Sequence, residues 1–332
     1  MARDDRRRIR WTDRGADKKG PNGLNLGLFG PVAGEERMQR DVRNHRRRMK
    51  VIKRIVLWIT LVAALTTPLF AGGEGEEGGG GLRLSMGGST TVEPIMTAAL
   101  EVYRTEVDGT AELSYDAPGS TAGIRGVLNG IYDIGASSRS LYQDERAQGL
   151  VATPIAIDGL SVIVNNSVPI DDISLADAAG IFVGEIRSWD RLGGPVQEIV
   201  VVNRDEASGT LGAFRELVLE RTYGDDARFL RNALVTESNG NMTTMVSQTP
   251  YSVGYASLAT LDRLRAAGGK PLTIDGIENS PETVFSGVYP VTRPLSVITY
   301  GEPTTEQRVF IDFLLSDRGQ QIVQEVGYLP LR

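Results

Sequence analysis

The sequence predicts an α/β body, with mainly parallel sheet, divided into two lobes, and three observations lead there. Strand-like and helix-like apolar patterns alternate along residues 82–332, as they do where helices pack on a parallel sheet. Such a stretch is long for a single sheet. One apolar run, Ile155 to Val164, is unusually long for a strand and reads as a crossing between lobes, with Val253 to Ala256 as the return. Finally, glycine and hydroxyl residues recur where a strand should turn into a helix: Gly87-Gly88-Ser89-Thr90-Thr91, Gly119-Ser120-Thr121 and Arg204-Asp205-Glu206-Ala207-Ser208-Gly209-Thr210.

Taken in order, residues 1–48 are Arg-rich and lack apolar periodicity, so they read as a disordered leader or a start assigned too early. Met49 opens a second start. Lys50, Lys53 and Arg54 precede the apolar stretch Ile55 to Leu65, and Leu69-Phe70-Ala71 offers a cleavage site, so 49–71 has the layout of a secretory signal peptide. An uncleaved anchor is the alternative. Residues 72–81, all Gly and Glu, form a flexible tether. No cysteine follows the apolar stretch, which argues against a lipid anchor of the bacterial lipoprotein type; the expected location is periplasmic or otherwise extracytoplasmic.

Within the body, Leu84 and Met86 alternate with polar residues as in a strand, and Val92 to Glu106 has helical spacing with Pro94 in its first turn. Further strands are expected at Ala111 to Asp116, Tyr132 to Ala136, Ile155 to Val164, Ile199 to Asn203 and Ser252 to Ala256. Helices are expected at Ala122 to Leu128, Leu175 to Phe182, Leu211 to Leu219, Met242 to Gln248, Glu306 to Leu315 and Gln320 to Val326. Lobe one would comprise 82–157 and 257–332, and lobe two 158–256. Trp189 reads as core packing.

Charge and composition exclude several functions. Residues 1–54 hold 17 Lys and Arg against 7 Asp and Glu, leaving 19 against 35 in the remainder. So acidic a body repels a phosphodiester backbone, and no nucleic-acid partner is expected. The chain has no cysteine, and its one histidine, His45, lies in the leader. A Cys or His nucleophile, a Ser-His-Asp triad and a zinc site of the usual ligands are therefore missing from the body. Neither a metal nor a cofactor is expected.

The three turns point to an anion. A helix N-terminus exposes unpaired N–H groups and the positive end of its dipole. Serine and threonine hydroxyls donate hydrogen bonds, glycine lets the backbone come close, and arginine supplies a planar fork. Singly, each turn could be ordinary capping; jointly they suggest one ion held from several sides.

The motifs Gly-Gly-Ser-Thr-Thr-Val-Glu-Pro (87–94), Pro-Gly-Ser-Thr-Ala-Gly-Ile (118–124), Asp-Ile-Gly-Ala-Ser-Ser-Arg (133–139) and Asn-Arg-Asp-Glu-Ala-Ser-Gly-Thr (203–210) occur in that order. With them come 181–189, 253–257 and 289–295. Together they resemble the phosphate-binding component of Pst-type phosphate ABC transporters over 82–332. The resemblance implies a two-lobe, type II periplasmic binding protein-like α/β fold, with mixed sheets, flanking helices and the ligand in the interlobe cleft. It implies a monomeric, non-enzymatic receptor that passes inorganic phosphate to a membrane permease. Carried over by motif, the ligand contacts would be Thr90, Thr91 (through its N–H), Ser120, Ser138, Arg139, Arg204, Ser208, Gly209 and Thr210, with Glu206 holding Arg204. Well-known members follow Gly-Ala-Ser with an aspartate that accepts the phosphate proton; here Ser138 stands there, and Asp158 is the candidate replacement. A receptor for sulfate, molybdate or tungstate, an exported phosphatase, and a structural module without ligand are the alternatives.

Overall fold

The computed structural model describes residues 81–331. The expected leader (1–48), signal peptide (49–71) and, but for Gly81, the tether lie outside the described residues. In chain order the strands are β1 (Arg83–Gly88), β2 (Glu112–Asp116), β3 (Ile134–Ser137), β4 (Leu150–Asn165), β5 (Asp172–Ile173) and β6 (Val200–Arg204). They continue with β7 (Leu234–Thr236), β8 (Ser252–Ser257), β9 (Gly269–Pro271), β10 (Thr273–Ile274) and β11 (Thr292–Tyr300). A nine-stranded sheet runs β2-β1-β3-β11-β4-β8-β6-β7, with β9 also on β4, while β5 and β10 pair separately.

The sheet is parallel at its two ends and antiparallel in its middle. β1 lies parallel to β2 and β3, and β6 to β7 and β8, because helices carry the chain back between those strands. β11 runs antiparallel to β3 and β4, and β4 antiparallel to β8 and β9. The mainly parallel sheet read from strand–helix alternation is thus a mixed one. Its antiparallel part comes from the two strands that join the halves, β4 and β11. β4 is 16 residues long: Leu150–Gly159 pair with β11 and Leu160–Val164 with β8.

Two large apolar cores sit on either side of this junction. One gathers Met86, Ile95, Ile134, Ile155, Val297 and Phe310; the other Val162, Phe182, Trp189, Phe214, Val253 and Tyr255. In the second, Phe214 stacks on Tyr255 (4.3 Å between centroids) and Phe182 meets Phe214 edge-on, a geometry that adds to area burial. Residues beyond 257 do not all return to the first core. Leu261, Leu264, Leu272, Ile274 and Tyr289 pack in the second, since β9 pairs with the far half of β4. The cores part within β4, between Ala156 and Leu160, and again between Val291 and Leu295 at the start of β11, whereas the lobe boundary was expected at residue 257.

Two expected helices change pitch. Glu93–Val102 is α-helical and continues as a π turn over Tyr103–Val107; Gly209–Phe214 likewise continues as π over Arg215–Leu219. The helix expected from Met242 starts earlier, at Asn239, because Ser238 caps it by accepting from the Asn241 N–H.

Candidate functional site

Each of the three turns ends a strand at the place where the two halves meet. At the end of β1, Gly88 has a φ of 149°, and a side chain there would strike the Ala136 carbonyl, 2.2 Å from the Cβ position. This close approach lets Ser89 N–H donate to Ala136 (3.0 Å). Ser89 Oγ then accepts from the Thr91 N–H (3.1 Å), capping the turn before the helix Glu93–Val102. In the second turn Gly119 has a φ of 103° and abuts the Ala207 carbonyl, which accepts from the Thr121 N–H (3.1 Å). That bond joins the second turn to the third. Ser208 caps the third, accepting from the Leu211 N–H at 3.2 Å.

The hydroxyls converge. Thr91 Oγ1 and Thr210 Oγ1 lie 2.9 Å apart, and Ser120 Oγ is 3.4 Å from Ser138 Oγ. Gly209 packs so tightly on Ser120 and Ser138 that a Cβ there would fall 2.1 Å from Ser120 Oγ. Thr90, Thr91, Ser120, Ser138, Arg204, Ser208, Gly209 and Thr210 therefore share one region, all but Thr90 nearly inaccessible.

Six of these hydroxyl and turn positions have a common electrostatic setting. Thr90 Oγ1 accepts from Arg204 Nη2 (3.3 Å), Thr91 Oγ1 from Asn239 Nδ2 (2.8 Å) and Thr210 Oγ1 from Arg293 Nη1 (3.1 Å). Ser120 Oγ accepts from the Ser138 N–H (3.1 Å), Ser138 Oγ from Ser89 Oγ (2.9 Å), and Ser208 Oγ from Leu211. A hydroxyl whose oxygen receives a proton donor is left with its own proton to give. Thr91 and Thr210 share one proton between them, and with the remaining hydroxyl protons the site presents donors.

Arg204 is its buried charge. The side chain is 1% exposed, and Asp205 Oδ2 is no closer than 3.9 Å. Instead Nε donates to the Thr236 carbonyl (3.2 Å), Nη1 to Asn239 Oδ1 (3.0 Å) and Nη2 to the Glu237 carbonyl (2.8 Å). Burial holds this guanidinium below its ordinary pKa; Tyr255 and Asp205 oppose that, while the nearby Arg293 charge adds to it. Tyr255, raised by burial, orients the backbone: its hydroxyl donates to Asn203 and accepts from the Arg204 N–H.

Four residues have partners other than those expected. Glu206 does not hold Arg204; it is exposed, and neutral oxygens hold the guanidinium instead. The Thr91 N–H is occupied by Ser89, so its hydroxyl, not its amide, faces the other turns. Arg139 spends its guanidinium on Glu145, with two contacts of 2.8 Å, and lies over the Tyr142 ring at 3.9 Å. Burial pushes the Glu145 carboxyl up, but the Arg139 hydrogen bonds and the Tyr142 N–H outweigh it and bring it below the ordinary range. Asp158 is fully buried and already saturated: Oδ1 accepts from Ser257 Oγ (2.6 Å) and Leu258 N–H (3.2 Å), Oδ2 from Arg293 Nε (3.0 Å) and Nη2 (2.8 Å). Four donors fill a carboxylate's capacity, leaving it nothing with which to accept a ligand proton.

Two participants were not expected, Asn239 and Arg293. Both left a signal: Asn239 follows a capping serine, and Arg293 is a lone charge between apolar Val291 and Leu295, just as Asp158 is in the crossing strand. Among the described residues no group of acidic or histidine side chains could hold a metal ion.

Known proteins are similar to this chain. A family model described as the PBP superfamily domain matches residues 74–318. The phosphate-binding protein PstS of Borreliella burgdorferi is 35% identical over 254 residues, 75% of this chain and 90% of that protein. The PstS of Bacillus subtilis is 31% identical, over 78% and 83% respectively. Among solved structures, a protein of Clostridium perfringens assigned as a phosphate ABC transporter substrate-binding protein, solved with bound phosphate, superposes with a TM-score of 0.69 at 32% identity, over 75% of this chain and all of that one.

Proposed function

This chain belongs to the PBP superfamily and, within it, to the family of phosphate-binding proteins, and from that premise we propose that it captures inorganic phosphate between its two halves and hands it to the permease of an ABC transporter. The observation that carries this reading is Arg204: a guanidinium buried among neutral oxygens, with its nearest ion-pair contact at 3.9 Å. A buried cation without a close partner is costly, and an anion on its open side removes that cost.

The lobes follow the two cores, with β4 and β11 as the connecting strands. Taking a dianion out of water requires a compensating donor at each oxygen. The hydroxyls of Thr90, Thr91, Ser120, Ser138, Ser208 and Thr210 and the first-turn N–H groups of Gly209 and Thr210 supply them. Arg204 supplies full charge, and no proton transfer is needed. The closed arrangement draws on both halves, so the ligand itself drives a hinge motion. The receptor acts outside the cytoplasm and without catalysis; its relatives are named as binding proteins, and no described helix is long and apolar enough to cross a membrane.

A second reading, a receptor open to other tetrahedral oxyanions, has one observation in its favour. Asp158, the candidate proton acceptor, has no lone pair left to tell protonated phosphate from sulfate. Isothermal titration tests the first reading: the native protein binds phosphate one to one, and Arg204→Met loses on the order of a hundredfold, as expected when charge-assisted hydrogen bonds go. Undiminished binding by Arg204→Met would remove the reading. Displacement of phosphate by equimolar sulfate would favour the second.

A further inference from the structure

Arg293 has no place in the contacts inferred from the motifs, yet it touches three parts of the site. It stands opposite Asp158 in the register of β11 on β4, and two of its nitrogens rest on Asp158 Oδ2. With the side chains 2% and 0% exposed, this pair is sealed from solvent. The carboxylate fixes the fork in one orientation, with Nη1 pointing away from it. That nitrogen donates twice, to the Ser138 carbonyl at 2.9 Å and to Thr210 Oγ1 at 3.1 Å. Ser138 follows β3, beside the first core, and Thr210 lies in the first turn of the helix that follows β6, beside the second. One nitrogen thus bridges the two halves.

The bond to Thr210 has a chemical consequence. A guanidinium donates only, so Thr210 Oγ1 must accept from it, and the hydroxyl proton is directed elsewhere. Thr91 receives Asn239 in the same manner, and Asn239 in turn receives Arg204. A continuous hydrogen-bonded chain therefore runs Arg204–Asn239–Thr91–Thr210–Arg293–Asp158. It contains both buried arginines: Arg204 at one end, without a close carboxylate, and Arg293 near the other, neutralised by the terminal Asp158.

We propose that Arg293, held by Asp158, is a positioning residue of the anion site: it sets the Thr210 hydroxyl as a donor to the ligand and ties the halves together in the closed state. Asp158 serves the ligand only through this arginine. The proposal rests on the phosphate-receptor reading above, and the test separates the two.

Phosphate is titrated into the native protein, Arg293→Met, the charge-neutral pair Asp158→Asn/Arg293→Met, and Thr210→Val with and without Arg293→Met, each first checked by thermal melting. Arg293→Met is expected to weaken phosphate by about tenfold or more. The neutral pair, which leaves no bare buried charge, is expected to melt close to the native protein and still bind weakly. In the Thr210→Val background the Arg293→Met change should cost markedly less than in the native one, because its target hydroxyl is gone. Native-like affinity of the neutral pair would overturn the proposal and leave an ion pair that serves the fold. Equal cost of Arg293→Met in both backgrounds would overturn it too. Failure of the native protein to bind phosphate at all would instead defeat the underlying reading.

Discussion

Arg204 and Arg139 are about equally buried, yet they face opposite electrostatic situations. Arg139 is matched by Glu145 in a two-contact fork, so its charge is already answered. Arg204 meets carbonyl and amide oxygens, so its charge is open. Arg139→Met should therefore leave phosphate affinity within a few-fold while lowering stability by about 3 kcal/mol, because it strands a buried carboxylate; chemical denaturation alongside titration checks both. The sign of the pH dependence follows from Glu145. Its folded pKa is depressed, so its stabilisation is complete above the ordinary carboxylate pKa and disappears as pH falls through the folded value. The native-minus-variant stability difference should be full at neutral pH and shrink on acidification; a difference that grows toward acid would contradict the pairing. The residue types at the site were legible because strand–glycine–hydroxyl–helix junctions have a local signature. Partners were less so: whether an arginine finds Glu206, Glu145 or carbonyl oxygens is decided by contacts far apart in sequence, as Arg204 with Asn239 and Arg293 with Asp158 demonstrate.

At the scale of elements, the N-termini of helices from the two halves meet with almost no spare space. Gly209 begins the helix Gly209–Phe214, and a methyl group there would collide with Ser120 Oγ and lie 2.7 Å from Ser138 Oγ, both on the other side of the cleft. Gly209→Ala should weaken phosphate binding by about tenfold or more while changing the melting temperature of the ligand-free protein little, since alanine suits a first helical turn. Equal affinity would mean that the two turns do not approach this closely when ligand is bound. The Ser208 cap gives a second test. Ser208→Ala removes the acceptor of the Leu211 N–H and should cost about 1 kcal/mol of stability as well as affinity; loss of stability alone would make it a cap and nothing more. Apolar periodicity located most helices and strands. It did not give the π turns at Tyr103–Val107 and Arg215–Leu219, nor the start at Asn239, which Ser-Asn-Gly disguises as a turn.

For the whole molecule, two cores joined by β4 and β11 make a hinge the natural motion, and a ligand that touches both halves stabilises their closed arrangement. Alternation along the chain revealed the α/β class and the crossing strand Ile155 to Val164. The return crossing, expected at Val253 to Ala256, falls later, because Leu261 to Tyr289 has the same apolar character whichever core it joins. Phosphate at a hundred times its dissociation constant should stabilise the native fold by about 2.7 kcal/mol, a rise of several degrees in melting temperature. Sulfate at equal concentration reports on selectivity in the same experiment. The most direct measurement is a crystal structure of the protein grown with phosphate. One tetrahedral ion is expected within hydrogen-bond distance of Arg204 and the hydroxyls of Thr90, Ser120, Ser208 and Thr210. An ion bound elsewhere, or an empty cleft at saturating phosphate, would contradict it.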